Sequence, residues 1–281
     1  MVETLSVEAN GMEFSCLTAG DGDQLALCLH GFPDDATSMR PLMERLADAG
    51  YRAVAPYMRG YDPTGPAPDG DYRTTTLGAD AIALAQGLGD GETVLVGHDW
   101  GAIASYAAAR QAPEVLDRIV TMAVPPNFAQ QMLGDPAQLA RSWYIWFIQL
   151  EGFAEAAIQM NDFEFLEYLW QTWSPGWDYS DERLSAVTET FRSGDTLSNA
   201  LAYYRQMIQP LVATDGGGIS VPGLVLGGVD DGCIGVEYFA SATDAFATDS
   251  DCKQIEDAGH FLHQERPEAV GDAMLSFLES A

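Results

Sequence analysis

Residues 1–126 alternate short apolar runs with longer segments of helical spacing, and no other feature restricts the possible folds as tightly. ETLSVEA and MEFSCLTAG read as two strands joined at Asn10-Gly11, a strong hairpin dipeptide. QLALCLHG (24–31) is a continuous apolar run, as expected of a strand buried on both faces. YRAVAPYM, TVLVGHD and DRIVTMAVPP are further strand candidates, the last closed by two prolines. SMRPLMERLADAG, LGADAIALAQGLG and WGAIASYAAARQA have helical character, and Gly50 suits the end of the first. RGYDPTGPAPDGDYR is a Pro/Gly/Asp-rich loop. Strands alternating with helices predict an open, mostly parallel sheet wound on both faces.

The rhythm then stops. From Asn127 to Pro210 the chain offers aromatic, helix-like segments instead: RSWYIWFIQLEGFAEAAIQ, FEFLEYLWQTW and LSNALAYYRQMIQ. Trp143, Trp146, Trp170, Trp173 and Trp177 lie here, suited to core packing or to an aromatic pocket. The β-α pattern returns with VPGLVLGGVDD, EYFASATDAFA, DCKQIEDAGH and ERPEAVGDAMLSFLES. The expected organisation is an α/β core from 1–126 and 211–281 with a helical insertion at 127–210. With 281 residues, 47% of them hydrophobic, the chain has material for a sizeable core.

Composition excludes several functions. Asp and Glu number 42 against 13 Lys and Arg, a net charge of −29, and Lys253 is the one lysine. Nucleic-acid binding needs basic patches, so it is not expected. The acids run along the whole chain, which fits the solvated acidic surface of a salt-adapted protein. No run approaches ~18 apolar residues, so no membrane span is read. The acidic N-terminus lacks an apolar signal core, and the expected location is cytoplasmic. Cys16, Cys28, Cys233 and Cys252 are scattered without zinc-site spacing, and no metal is expected. Cys28 reads as a core thiol.

VGHDWG (96–101) has the form of the sharp strand-to-helix turn that lifts a nucleophile above the sheet, with Asp99 at the centre. A carboxylate there is already anionic and needs no base. It displaces a leaving group at carbon and forms an ester, whose hydrolysis then needs a general base and an oxyanion hole. The plain alternative is that Asp99 caps the helix beginning at Trp100. Three other stretches favour chemistry. HGFPDD (30–35) follows a strand, so the amides of Phe32 and Trp100 suit an oxyanion hole. GHFLHQERP (259–267) places His260 at a strand end, where a base belongs. VLGGVDDG (225–232) offers Asp230 and Asp231 to orient it. His30 and His98 read as structural, and His263 as the opening of the last helix.

HGFP, GHDWGA, ALAYYR and GHFLHQERP together resemble the epoxide hydrolases of the α/β-hydrolase fold, over nearly the whole chain. The resemblance implies an inserted helical cap domain, an active site between cap and core, and a cis bond at Phe32-Pro33. It also implies two cap tyrosines that hydrogen-bond the epoxide oxygen. The second matches Tyr204, with the adjacent Tyr203 as its rival, and the first best matches Tyr144. The triad acid best matches Asp231. One departure is Tyr57 in YMRGYDPTG, where the family usually has an aspartate.

Epoxide opening expels an alkoxide, so an acid must donate as the ring breaks. A phenol buried among tryptophans keeps its proton at neutral pH and meets that need. The expected activity is cofactor-independent hydrolysis of a small neutral epoxide by water, with Asp99 as nucleophile, His260 as base, Asp231 as its partner, and Tyr144 and Tyr204 as acids. Phe32, Trp100, Trp143 and Phe147 are the expected pocket residues. The same-fold alternative is a dehalogenase. Phe32 lacks the polar group of many haloalkane enzymes, and Trp100 and Ile103 stand where haloacetate enzymes typically place arginines. A ligand-binding receptor on the same fold is the third reading. Monomer and homodimer are both compatible with the sequence.

Overall fold

The computed structural model describes residues 2–89, 91–126, 128–207 and 218–280. Strands β1 (Glu3–Ala9), β2 (Met12–Ala19), β3 (Gln24–Leu29), β4 (Tyr51–Pro56), β5 (Thr93–His98), β6 (Arg118–Met122), β7 (Gly223–Gly228) and β8 (Ser250–Ile255) form one sheet in the order β1-β2-β4-β3-β5-β6-β7-β8. The β1-β2 hairpin pairs Ala9 with Met12 across Asn10 and Gly11, both at positive φ, as the dipeptide predicts. β1-β2 and β2-β4 are antiparallel, and the pairings from β4 through β8 are parallel.

Side-chain alternation divides the core. Leu25, Leu27 and Leu29 of β3 join one buried cluster with Leu95, Ile119 and Val225. Ala26 and Cys28 join the other with Val94, Val96, Val120, Leu224 and Leu226. Both faces of these strands are therefore covered, which is why their sequences are apolar throughout. Helices α2 (Thr74–Leu88) and α3 (Trp100–Gln111) pack together on the first face. Helix α1 (Arg40–Asp48) and the C-terminal α11 (Pro267–Glu279) cover the second. Gly50 follows α1 at φ +92°, the left-handed turn expected of it. The segment EYFASATDAFA forms a run of 3₁₀ turns over Val236–Ala245.

Between β6 and β7 the described residues form only helices and loops: α4 (Phe128–Met132), α5 (Pro136–Arg141), α6 (Trp143–Ile148), α7 (Phe153–Trp173), α8 (Asp181–Arg192) and α9 (Thr196–Met207). These form a helical insertion between β6 and β7, here labelled the cap. Its expected limits at Asn127 and at Pro210 lie outside the described residues. α7 is broken at Met160–Phe163, where three residues take positive φ. Arg183 of α8 ties cap to core through the fully buried Asp34, and its Nε donates to Gln264 at 2.9 Å. Trp170 Nε1 donates to the Pro33 carbonyl at 3.0 Å. No helix among the described residues is long and apolar enough to cross a membrane.

Candidate active site

The β5–α3 turn is built by close approach. A Cβ on Gly97 would lie 2.3 Å from the Gly101 carbonyl oxygen, and one on Gly101 would lie 2.1 Å from that of Leu29. Asp99, between them, takes φ +50°, ψ −113°, a strained backbone for a residue with a side chain. Its carboxylate makes no capping bond to α3. Oδ1 instead accepts from the Phe32 amide at 2.7 Å, across 67 residues of sequence. The helix-cap reading of Asp99 is therefore set aside. Gly31 makes room for this contact, since a Cβ there would meet that of Asp99 at 2.4 Å. Trp100 opens α3, where an N–H has no acceptor within the helix. Phe32-Pro33 is cis, as expected.

His260 lies between two carboxylates. Nδ1–H donates to Asp231 Oδ2 at 2.9 Å, and Nε2 is 3.6 Å from Asp99 Oδ2. Asp231 Oδ1 accepts from the amides of Cys233 (2.7 Å) and Ile234 (2.9 Å), so both of its oxygens are engaged. Asp230, its sequence rival, is exposed. Burial of His260 opposes its charge, but Asp231 and Asp99 outweigh that and raise its pKa above the usual 6.5. The peptide around His260 is held on several sides. His260 N–H donates to the Trp173 carbonyl (3.1 Å), Phe261 N–H to Ser174 Oγ (3.1 Å), and Gly259 N–H to the Glu265 carboxylate (3.0 and 2.9 Å). Ser174 Oγ–H donates to Glu265 as well (2.7 Å).

The tyrosines separate by their partners. Tyr203 donates to the Arg59 carbonyl at 2.7 Å and is committed to the fold. The Tyr204 hydroxyl is buried and makes no hydrogen bond of ordinary geometry among the described residues; the Trp100 side chain is the polar group that bears on it. Its ring packs on Phe32 (5.4 Å between centroids), Trp100 (4.9 Å) and Tyr144 (5.7 Å). Tyr144 Oη lies 3.3 Å from Cys233 Sγ. Burial first pushes both phenols well above their usual pKa, with the Asp99 charge next for Tyr204 and Cys233 next for Tyr144, so both stay protonated.

Trp143 and Phe147 are not in this group. They lie four residues apart, on a different stripe of α6 from the buried Tyr144, Ile145 and Ile148. Their rings pack against Phe165 instead, and Trp143 is 39% exposed. Trp173 takes their place beside Tyr144 (4.8 Å) and His260 (5.1 Å). Its tryptophan-rich segment was visible in sequence, but the helix face it presents was not. Cys233 directly follows VLGGVDDG and Glu265 lies within GHFLHQERP, but nothing in either stretch marks them as site residues.

The remaining histidines are buried and neutral. His30 Nε2 accepts from Met58 N–H at 3.1 Å, and His98 Nε2–H donates to the His260 carbonyl at 2.9 Å. His263 does not open the last helix. It lies in a separate short helix, α10 (Leu262–Glu265), its ring 4.2 Å from that of His98 and tilted 41° to it. Tyr57 is half-buried and contributes its backbone carbonyl to Thr64 (2.6 Å), while its side chain is not part of the Asp99 group.

The family pattern described as alpha/beta hydrolase fold matches residues 26–267. Human epoxide hydrolase 4 is 31% identical over 283 residues, covering 97% of this chain and 77% of that protein. The AB hydrolase superfamily protein YfhM of Bacillus subtilis is 27% identical, covering 98% and 97%. The crystal structure of epoxide hydrolase A from Mycobacterium thermoresistibile superposes with a TM-score of 0.86 at 28% identity, over 100% of this chain and 99% of that one. The chain belongs to the α/β-hydrolase fold family and, within it, to the epoxide hydrolases.

Proposed function

We propose that the protein hydrolyses small neutral epoxides to vicinal diols through an ester on Asp99, without a cofactor, in a site closed by a cap spanning about residues 127–210. The observation that carries this reading is the meeting of the Asp99 carboxylate, two buried protonated phenols and the His260 imidazole in one enclosure. Asp99 attacks a ring carbon, and the C–O bond breaks. The oxygen takes a proton from Tyr204 or Tyr144. The buried tyrosinate so formed is unfavourable. Meanwhile ester formation removes the Asp99 charge that helped hold the His260 proton, so that proton returns to the phenol. Neutral His260 then takes a proton from water as the water attacks the ester carbonyl. The Phe32 amide, already on Oδ1 at 2.7 Å, and the Trp100 amide would stabilise the oxyanion. Collapse of the tetrahedral intermediate expels the diol oxygen, which takes the proton left on the Asp99 carboxyl. The cycle ends with Asp99 ionised and His260 protonated, as it began.

The test is a trap. In His260→Gln the first step survives and the second does not. Incubation with styrene oxide should raise the protein mass by the full mass of the epoxide, mapped to the Asp99 peptide. A haloalkane would add its mass less that of hydrogen halide, which would point to a dehalogenase instead. An adduct elsewhere, or none from either class, would overturn the ester mechanism.

A further inference from the structure

We propose that Asp231, Cys233 and His260 also form a capture site for a thiophilic divalent cation of the zinc or cadmium class. One carboxylate oxygen, the thiol sulfur and one imidazole nitrogen of these three buried residues lie within 4.8 Å of one another, the only such grouping among the described residues. The reading rests on this geometry and not on the proposed reaction.

The donor set selects the metal. Sulfur, nitrogen and oxygen together suit zinc and cadmium, whereas magnesium and calcium take oxygen ligands. Tetrahedral zinc holds its ligands roughly 3.5 Å apart, so the thiol has to close in by about 1 Å. Cys233 sits two residues after Asp231 in a turn whose amides hold Asp231 Oδ1, and its sulfur lies 3.3 Å from the Tyr144 hydroxyl. Rotation about its Cα–Cβ bond needs no backbone movement. The thiol does not ionise unaided, because burial first, then Asp231, push its pKa well above the usual 9.0. A cation supplies the missing counter-charge.

The exchange conserves charge. Before capture the enclosure holds the Asp231 and Asp99 carboxylates and a protonated His260. The cation forms bonds to Cys233 sulfur and His260 Nδ1 and displaces one proton from each. Two protons leave as two positive charges arrive, so the buried net charge is unchanged, and desolvation does not oppose the step. The imidazole keeps its Nε2 proton. Loss of the Nδ1–H···Asp231 bond and retention of that proton convert a base into a donor, so capture stops turnover.

The test reads binding without turnover. Cys252 is half-buried and is first replaced by serine to remove a competing thiol. Cys252→Ser should bind one Cd²⁺ with a near-ultraviolet thiolate-to-metal absorption band and release two protons per cation at pH 7. Adding Cys233→Ser should abolish the band and weaken binding at least about 100-fold, the upper end of what loss of an outer partner costs. If that variant fails to fold, Asp231→Asn, which keeps every thiol, should weaken binding by the same order. No band in Cys252→Ser, a band that survives Cys233→Ser, or unchanged binding in Asp231→Asn would each overturn the proposal. None of these outcomes bears on the ester mechanism, which the mass-shift trap tests separately.

Discussion

At the scale of single residues, adjacent tyrosines show how a fold divides labour. Tyr203 and Tyr204 are chemically identical and both buried, yet one hydroxyl serves the Arg59 carbonyl and the other faces the Asp99 charge with no hydrogen bond of ordinary geometry. A helix turns about 100° per residue, so neighbours cannot share a target. Tyr204→Phe should therefore cut epoxide turnover by about 10²-fold or somewhat less, the low end of general acid catalysis, because Tyr144 remains. The melting temperature of Tyr204→Phe should fall only slightly, since the lost hydroxyl makes no hydrogen bond of ordinary geometry. Tyr203→Phe should show the reverse, because it strips a buried carbonyl of its donor. Steady-state kinetics and thermal melts on the pair check this, and a Tyr204→Phe enzyme within twofold of wild type would remove Tyr204 from the mechanism. Asp99, His260 and Asp231 could be found in sequence because each lies in a short motif at a strand end, where local chain geometry fixes position. Trp173 and Cys233 could not be placed, because long-range packing of α7 and the β7 loop brings them in.

At the scale of elements, strands and helices were legible from periodicity alone. The facing of cap helices was not. The sequence of α6 offers two apolar stripes, and only contact with α7 and α9 decides that Tyr144 turns inward while Trp143 stays out. The ends of β3 and β5 and the short helix α10 share another trait: each holds a buried, neutral histidine. Burial lowers His30 to about 4 and His98 to about 3, and takes His263 well below 6.5. Unfolded, all three would bind protons near 6.5, so each contributes stability above that pH that is lost as pH falls. From pH 6.5 to 5 the loss is roughly 1–2 kcal/mol each for His30 and His98, and His263 acts in the same direction. Buried Asp34 works the other way. Its pKa, raised to about 6 by burial against the pull of Arg183, favours folding as pH falls below that value. It regains only about 1 kcal/mol by pH 5. His260, with its pKa raised, keeps its full contribution throughout this window and loses it only at higher pH. The histidines win, and the melting temperature should fall steadily from pH 6.5 to 5. A flat or rising profile there would contradict the neutral assignment of all three.

For the whole molecule, charge outweighs any local contact. The fold places helices on both faces of an eight-stranded sheet, buries Asp34, Asp35, Asp80, Asp99, Asp231 and Glu265, and leaves most of the 42 Asp and Glu, set against 13 Lys and Arg, outside the core. Several of the few cations are already spent inside. Arg59 is buried on Asp80, Arg205 binds Glu155, and Arg183 is held between cap and core by Asp34. These pairs hold the interior and the cap together and do little to neutralise the outer surface. The net −29 is therefore a self-repulsion spread over the exterior, which opposes the compact state. Salt acts on it through the Debye length, which shrinks from about 30 Å at 0.01 M to about 3 Å at 1 M. At the lower value charges on opposite sides of the molecule still interact, and at the higher one only near neighbours do. The buried pairs, shielded from ions, should barely weaken over the same range. Stability should thus rise with KCl, most steeply below about 0.1 M, where the screening length falls through the spacing of surface charges. Thermal melts at pH 7 across that range provide the measurement. A melting temperature that stays level or drops would show that the acidic surface costs the fold nothing, and the salt-adapted reading of this sequence would fail with it.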